Sequence, residues 1–198
     1  MVEKVALSFS GGKDSCFALY KLQEKRVEVA CLLTTIWKKS GSTVAHDEKR
    51  ERIKKQARRA EIPVYFIETD FDTYTADFVS AVNNLKMRYG IDGVAFGDIY
   101  LEGHREWGEQ VASAAGVEAV YPLWTKEENM LQLLREVIAA GFKAKVIKVD
   151  SDRLPESWTG RPVNQDFADD IARFDVCPMG ESGEYHTTVL DGPIFNSD

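Results

Sequence analysis

Apolar positions along the 198-residue chain fall into short runs separated by longer segments of helical spacing. Val5 to Phe9 is a compact apolar run, and Cys16, Phe17, Leu19, Tyr20 and Leu22 then recur at intervals that predict a helix over Ser15 to Gln23. Val29 to Ile36 is β-rich, Asp47 to Glu61 is helical until Pro63 stops it, and Val64 to Ile67 makes a third strand. Tyr74, Phe78, Val82 and Leu85 mark the next helix. A strand is expected over Gly93 to Ile99, a helix over Leu101 to Ala115 and a strand over Ala119 to Leu123. This alternation, with crossover helices of about a dozen residues, predicts an α/β fold with a doubly wound parallel five-stranded sheet.

A second pattern follows. Thr125 and Glu128 are spaced for a capping box at the start of a helix that ends near Gly141. Phe142 to Val149 reads as a strand, "SDRLPESWTGRP" as a loop, and Gln165 to Ala172 as a short helix. The tail "GESGEYHTTVLDGPIF" reads as a turn, a strand and a final Gly-Pro turn. A boundary near Thr125 divides the chain into a larger domain, 1–125, and a smaller α+β subdomain, 126–198.

Composition narrows the chemistry only a little. No apolar run approaches the roughly 20 residues that span a bilayer, and the amino terminus reads straight into a strand, so a cytoplasmic protein is expected. Cys16, Cys31 and Cys177 are too widely spaced for a disulfide framework or a metal site and are expected as reduced thiols. The formal net charge of -7 argues against a nucleic-acid partner. The basic run Arg50 to Arg59 reads as a solvated helix face.

The informative stretch is "SGGKDS", Ser10 to Ser15, where the first strand turns into the first helix. A glycine turn opening a helix offers free backbone N–H groups and the positive end of the helix dipole to an anion. It is not a Walker loop: the residues between the glycines are missing, and Asp14 stands where Ser or Thr should follow Lys13. Like charges about 4 Å apart near a surface cost roughly 4 kcal/mol, so Asp14 beside a polyphosphate requires a divalent cation between them. Lys13 is thereby read as a phosphate ligand and Asp14 as a Mg2+ ligand.

The hexapeptide resembles the PP-loop of the ATP pyrophosphatases, which cleave ATP between the α and β phosphates and adenylate an acceptor. "GDIYLEGHREWGEQVASAAGVEAVYPLW", Gly97 to Trp124, and "DVCPMGESGEYHTTVLDGPIF", Asp175 to Phe195, resemble the diphthine–ammonia ligase family within that superfamily. The resemblance implies a sheet order like 3-2-1-4-5, which sets "SGGKDS" opposite "GDI". It implies that Ser10, Gly11, Gly12, Lys13, Asp14, Ser15, Gly97 and Asp98 hold ATP and Mg2+. It places Glu102, Arg105, Glu181, Glu184, Tyr185 and His186 on the substrate side, with Lys13, Asp14, Asp98, Glu181 and Glu184 as the catalytic set. His46 matches a histidine near the nucleotide.

Asp98 alone also reads as a helix cap, and Glu102 with Arg105 as a surface pair, but the site role is the expectation for each. Glu181 and Glu184 bracket a turn and would suit an ammonium or a second cation, with one of them as general base. The expected activity is ATP-dependent amide formation releasing AMP and pyrophosphate. Ammonium is a substrate, diphthine-bearing elongation factor two the implied acceptor, and a homo-oligomer compatible with the pattern. RNA sulfur transfer and a non-catalytic nucleotide-binding regulator are the competing readings.

Overall fold

The structure, a computed structural model, describes residues 2–44 and 49–196. Its main sheet has five parallel strands in the order β3-β2-β1-β4-β5. They are β1 (Lys4–Ser8), β2 (Glu28–Trp37), β3 (Val64–Thr69), β4 (Gly93–Ala95) and β5 (Glu118–Val120). The crossovers are α1 (Lys13–Glu24), α2 (Arg50–Arg59), α3 (Tyr74–Tyr89) and α4 (Glu102–Ala115). The expected doubly wound sheet and its order are therefore present.

Period-two alternation explains the layering. Val5 and Leu7 point into one core with Phe17, Leu19, Ile53 and Ala57, while Ala6 between them points into the other with Phe78, Val82 and Val111. Helices α1 and α2 thus cover one face and α3 and α4 the other, which explains why β1 is apolar throughout its centre.

After β5 come a 3-10 turn (Glu127–Asn129), α5 (Met130–Ala139), β6 (Lys143–Val149), a second 3-10 turn (Glu156–Trp158), β7 (Pro162–Val163), α6 (Gln165–Ile171) and β8 (Tyr185–Asp191). Strands β7, β6 and β8 form a small antiparallel sheet in that order. Its apolar side joins the core that covers α1: Phe142 packs edge-on against both Phe17 and Tyr20.

Four expectations are corrected. The strand expected over Gly93 to Ile99 pairs only to Ala95, because the chain then leaves the sheet to carry Gly97 and Asp98 toward α1. The strand expected over Ala119 to Leu123 is confined to Glu118–Val120. Thr125 forms no capping box: its Oγ1 accepts from Asn129 Nδ2 at 2.9 Å, and a 3-10 turn precedes α5. The stretch "SDRLPESWTGRP" carries a 3-10 turn over Glu156–Trp158, and only its last residue, Pro162, enters β7. The start of the helix expected from Asp47, and His46, lie outside the described residues.

The basic run lies on α2, whose Ile53, Gln56 and Ala57 face inward. Arg50 pairs with Glu68, and Arg59 with Asp191 at 2.8 Å.

Candidate functional site

In a doubly wound sheet the crevice opens where the strand order reverses, here between the carboxyl ends of β1 and β4. The cleft there is lined by Ser10, Lys13, Asp14 and Ser15 from one side and Gly97, Asp98 and His104 from the other. Gly180, Glu181, Gly183, Tyr185, His186 and Thr187 from the C-terminal turn and β8 close it.

Two glycines permit the close approach. Gly11 has φ +78°, and a Cβ there would lie 2.3 Å from Gln56 Oε1. A Cβ on Gly97 would come within 3.2 Å of the Ser15 nitrogen, so the end of β4 packs directly on the first turn of α1.

The loop is stitched to the C-terminal strand. Lys13 N–H donates to Thr187 Oγ1 at 3.0 Å, and Val189 N–H donates to the Gly11 carbonyl at 3.0 Å. Gln56 Nε2 donates to both the Gly11 and the Val189 carbonyls. Ser15 Oγ accepts from Gly11 N–H at 3.2 Å, which tightens the turn.

Lys13 is 2% exposed, unlike a solvated lysine. Its Nζ donates to both oxygens of Asp14 and to the Met179 carbonyl, and lies 4.9 Å from the centre of the Tyr185 ring. Met179 itself is fully buried and does not line the cleft.

Asp98 does not cap α4; Leu101 occupies that position. Its Oδ1 instead meets His104 Nδ1 at 3.0 Å, and this bond above all holds the imidazole's proton affinity above the ordinary value. Glu181 Oε1 accepts from Ile99 N–H at 3.0 Å. Burial, and then the charge of Asp14, push its carboxyl up to about 7. Burial likewise drives Tyr185 well upward, whereas it lowers His186.

The expected convergence of Glu181 and Glu184 is corrected. Glu184, the residue before β8, is buried, and there it accepts from Cys177 N–H and Ser182 N–H and pairs with Arg153 at 2.9 Å. Those bonds occupy the carboxylate away from the cleft. The pairing weighed for Glu102 and Arg105 is also absent: Arg105 Nε donates to Glu109 at 2.8 Å, and its guanidinium lies over Trp124. Glu102 lines a separate hollow with Tyr100, Trp124 and Glu128.

His104, like Thr187, lines the cleft although the sequence by itself assigns it no role. Its one signal is position, in the first turn of the helix that follows Asp98. The arrangement offers one buried cation, three carboxylates, two imidazoles and a glycine turn, which suits a polyphosphate with a metal at one end and a polar second substrate at the other.

Residues 3–119 match the family model described as diphthamide synthase N-terminal domain, and residues 129–198 the one described as diphthamide synthase C-terminal domain. A diphthine–ammonia ligase of Schizosaccharomyces pombe is 28% identical over 97% of this chain, which spans 35% of that relative. The Bos taurus diphthine–ammonia ligase is 26% identical, with 97% of this chain and 80% of the relative covered. Among solved structures, the U34-tRNA thiolase NcsA from Methanococcus maripaludis with its 4Fe-4S cluster matches 69% of this chain and 56% of its own at 16% identity, with a TM-score of 0.44. With both domain models matched in order along one chain, over a cleft closed by the C-terminal turn, the protein belongs to the diphthamide synthase family.

Proposed function

We propose that the chain is an ATP-dependent, AMP-forming ligase that adenylates a carboxylate and transfers ammonia to it, with diphthine-bearing elongation factor two as the acceptor and the cytoplasm as its setting. The observation that carries this reading is the meeting of "SGGKDS", Asp98 and Glu181 in one cleft.

The proposed division follows the two sheets: residues 1–125 hold ATP, and 126–198 supply the acceptor side. Ser10, Gly11, Gly12 and Ser15 shape the phosphate turn, while Lys13 supplies a fixed positive charge beside it. Asp14, 28% exposed and open to the cleft, has the hard oxygen donors that magnesium prefers and would hold it. Magnesium bound there supplies neutralisation of phosphate charge.

An acceptor carboxylate oxygen bonds to the α phosphorus as pyrophosphate leaves. Ammonia nitrogen then bonds to the acyl carbon, AMP departs with that oxygen, and a proton is released. The work of the chain is positioning and preorganised charge. Asp14, Asp98 and Glu181 give the cleft a negative character that attracts ammonium, and Tyr185 and His186 continue the same wall.

Sulfur transfer to RNA would need accessible paired thiols. Cys16 and Cys31 are buried, and burial raises both, Cys31 to about 11.

Product chromatography tests the reading. With ATP, magnesium, ammonium and the diphthine-bearing acceptor, AMP and pyrophosphate should appear in step with amide. ADP and phosphate would exclude it, and tight ATP binding without turnover would favour a regulator.

A further inference from the structure

Three side chains from three separate segments meet at the mouth of the cleft. Asp98 comes from the loop after β4, His104 from the first turn of α4, and Glu181 from the C-terminal turn. His104 Nδ1 lies 3.0 Å from Asp98 Oδ1 and 4.0 Å from Glu181 Oε1, and the three donor atoms all lie within 4.8 Å of one another. Ligand bonds of about 2.0 to 2.2 Å place donors roughly 3 to 4 Å apart around an ion, so this triangle is already close to coordination size.

We propose that Asp98, His104 and Glu181 bind one divalent first-row transition cation of the zinc class, distinct from the magnesium proposed at Asp14 and independent of the ligase reading.

Glu181 supplies the second observation. Its side chain is only 9% exposed, yet among the described residues it accepts a single hydrogen bond, from Ile99 N–H to Oε1. Glu181 lines the cleft. Among the described residues no lysine or arginine forms an ion pair with this carboxylate, which lies beside the charges of Asp14 and Asp98 and meets only His104, at 4.0 Å. Lys13, the buried cation of the cleft, is already engaged by Asp14 and Met179. The Ile99 bond is the kind of outer contact that fixes a ligating carboxylate in orientation.

Donor chemistry selects the ion. Two carboxylate oxygens alone would suit magnesium or calcium, whereas an imidazole nitrogen among them shifts preference to zinc and its neighbours. Three protein ligands leave at least one coordination position open toward the cleft. A bound ion would tie α4 and the C-terminal turn to the end of β4, closing the wall on the acceptor side.

The test is calorimetry on the metal-stripped full chain without nucleotide, with Zn2+ alone and with excess Mg2+ present. One Zn2+ per chain should bind, and Mg2+ should not displace it. His104→Gln and Asp98→Asn should each weaken binding at least tenfold, while Asp14→Asn leaves it unchanged. His104 is half exposed, and circular dichroism will verify that the variant is folded. Co2+ in place of Zn2+ should give visible absorption without a thiolate charge-transfer band, separating this site from Cys177. Equal binding by wild type and His104→Gln would overturn the proposal, as would a thiolate band, displacement by Mg2+ or loss in Asp14→Asn.

Discussion

Lys13 Nζ grips both carboxylate oxygens of Asp14, at 2.9 and 3.0 Å, although the two residues are adjacent in the chain. The pair brings a buried cation and a partly exposed anion to the start of α1, where the helix dipole favours the anion. Neutral Asn at position 14 retains one acceptor for Lys13 but cannot balance its charge. Asp14→Asn should therefore lose roughly 1 to 3 kcal/mol of stability, the range for a hydrogen bond to a charged group. Magnesium-dependent turnover should fall by about 10² or more. Urea denaturation beside AMP release checks both, and a variant with normal turnover removes Asp14 from the metal role.

The two glutamates of the C-terminal turn should separate cleanly. Glu184 is buried with Cys177, Ser182 and Arg153, so Glu184→Gln should destabilise the fold by roughly 2 to 3 kcal/mol. Glu181 faces the cleft, so Glu181→Gln should leave ATP affinity nearly intact while abolishing amide formation. Calorimetry with ATP and an amidation assay distinguish them. Parallel loss of ATP binding in Glu181→Gln would place that residue in the nucleotide site.

Glu181 also predicts a pH dependence. Burial raises its carboxyl from the ordinary 4.5 to about 7, so the folded state favours the protonated form. The associated stability is complete below about 4.5 and is lost as pH rises through about 7. Glutamine cannot ionise. In EDTA, Glu181→Gln should thus be more stable than wild type at pH 8, by up to roughly 3 kcal/mol, and equal to it at pH 4. Denaturation curves at the two pH values measure the difference; a constant offset would count against the burial cause.

Gly11 and Gly41 both have positive φ, +78° and +70°, but only Gly11 is crowded. Gly41→Ala should cost the backbone strain alone, of order 1 kcal/mol. Gly11→Ala adds a Cβ on the Gln56 amide and should cost clearly more. Thermal melts of both variants decide this, and equal losses would mean that Gln56 swings aside.

The alternation of Val5, Ala6 and Leu7 and the helical spacing of Tyr74, Phe78, Val82 and Leu85 depend on contacts within one element, so the strand and helix order and the two-faced sheet were legible from the chain. The glycine turn of "SGGKDS" was legible for the same reason: a turn is local, and Lys13 and Asp14 are neighbours. The shortening of β4 was not, because pairing ends where the next strand ends and where Gly97 must approach Ser15, both matters of tertiary distance.

The cleft divides in the same way. Sequence alone determined which segments carry chemistry, since motif residues keep their spacing in any fold. Tertiary structure decided which side chains share a volume. It turned Glu184 into a buried anchor for Arg153, sent Arg105 to Glu109, and brought His104 within 3.0 Å of Asp98 and 4.0 Å of Glu181. Charge and burial depend on three-dimensional separation, and Asp98 and Glu181 lie 83 positions apart in the chain yet line one cleft because β4 and the C-terminal turn meet above the same strand end.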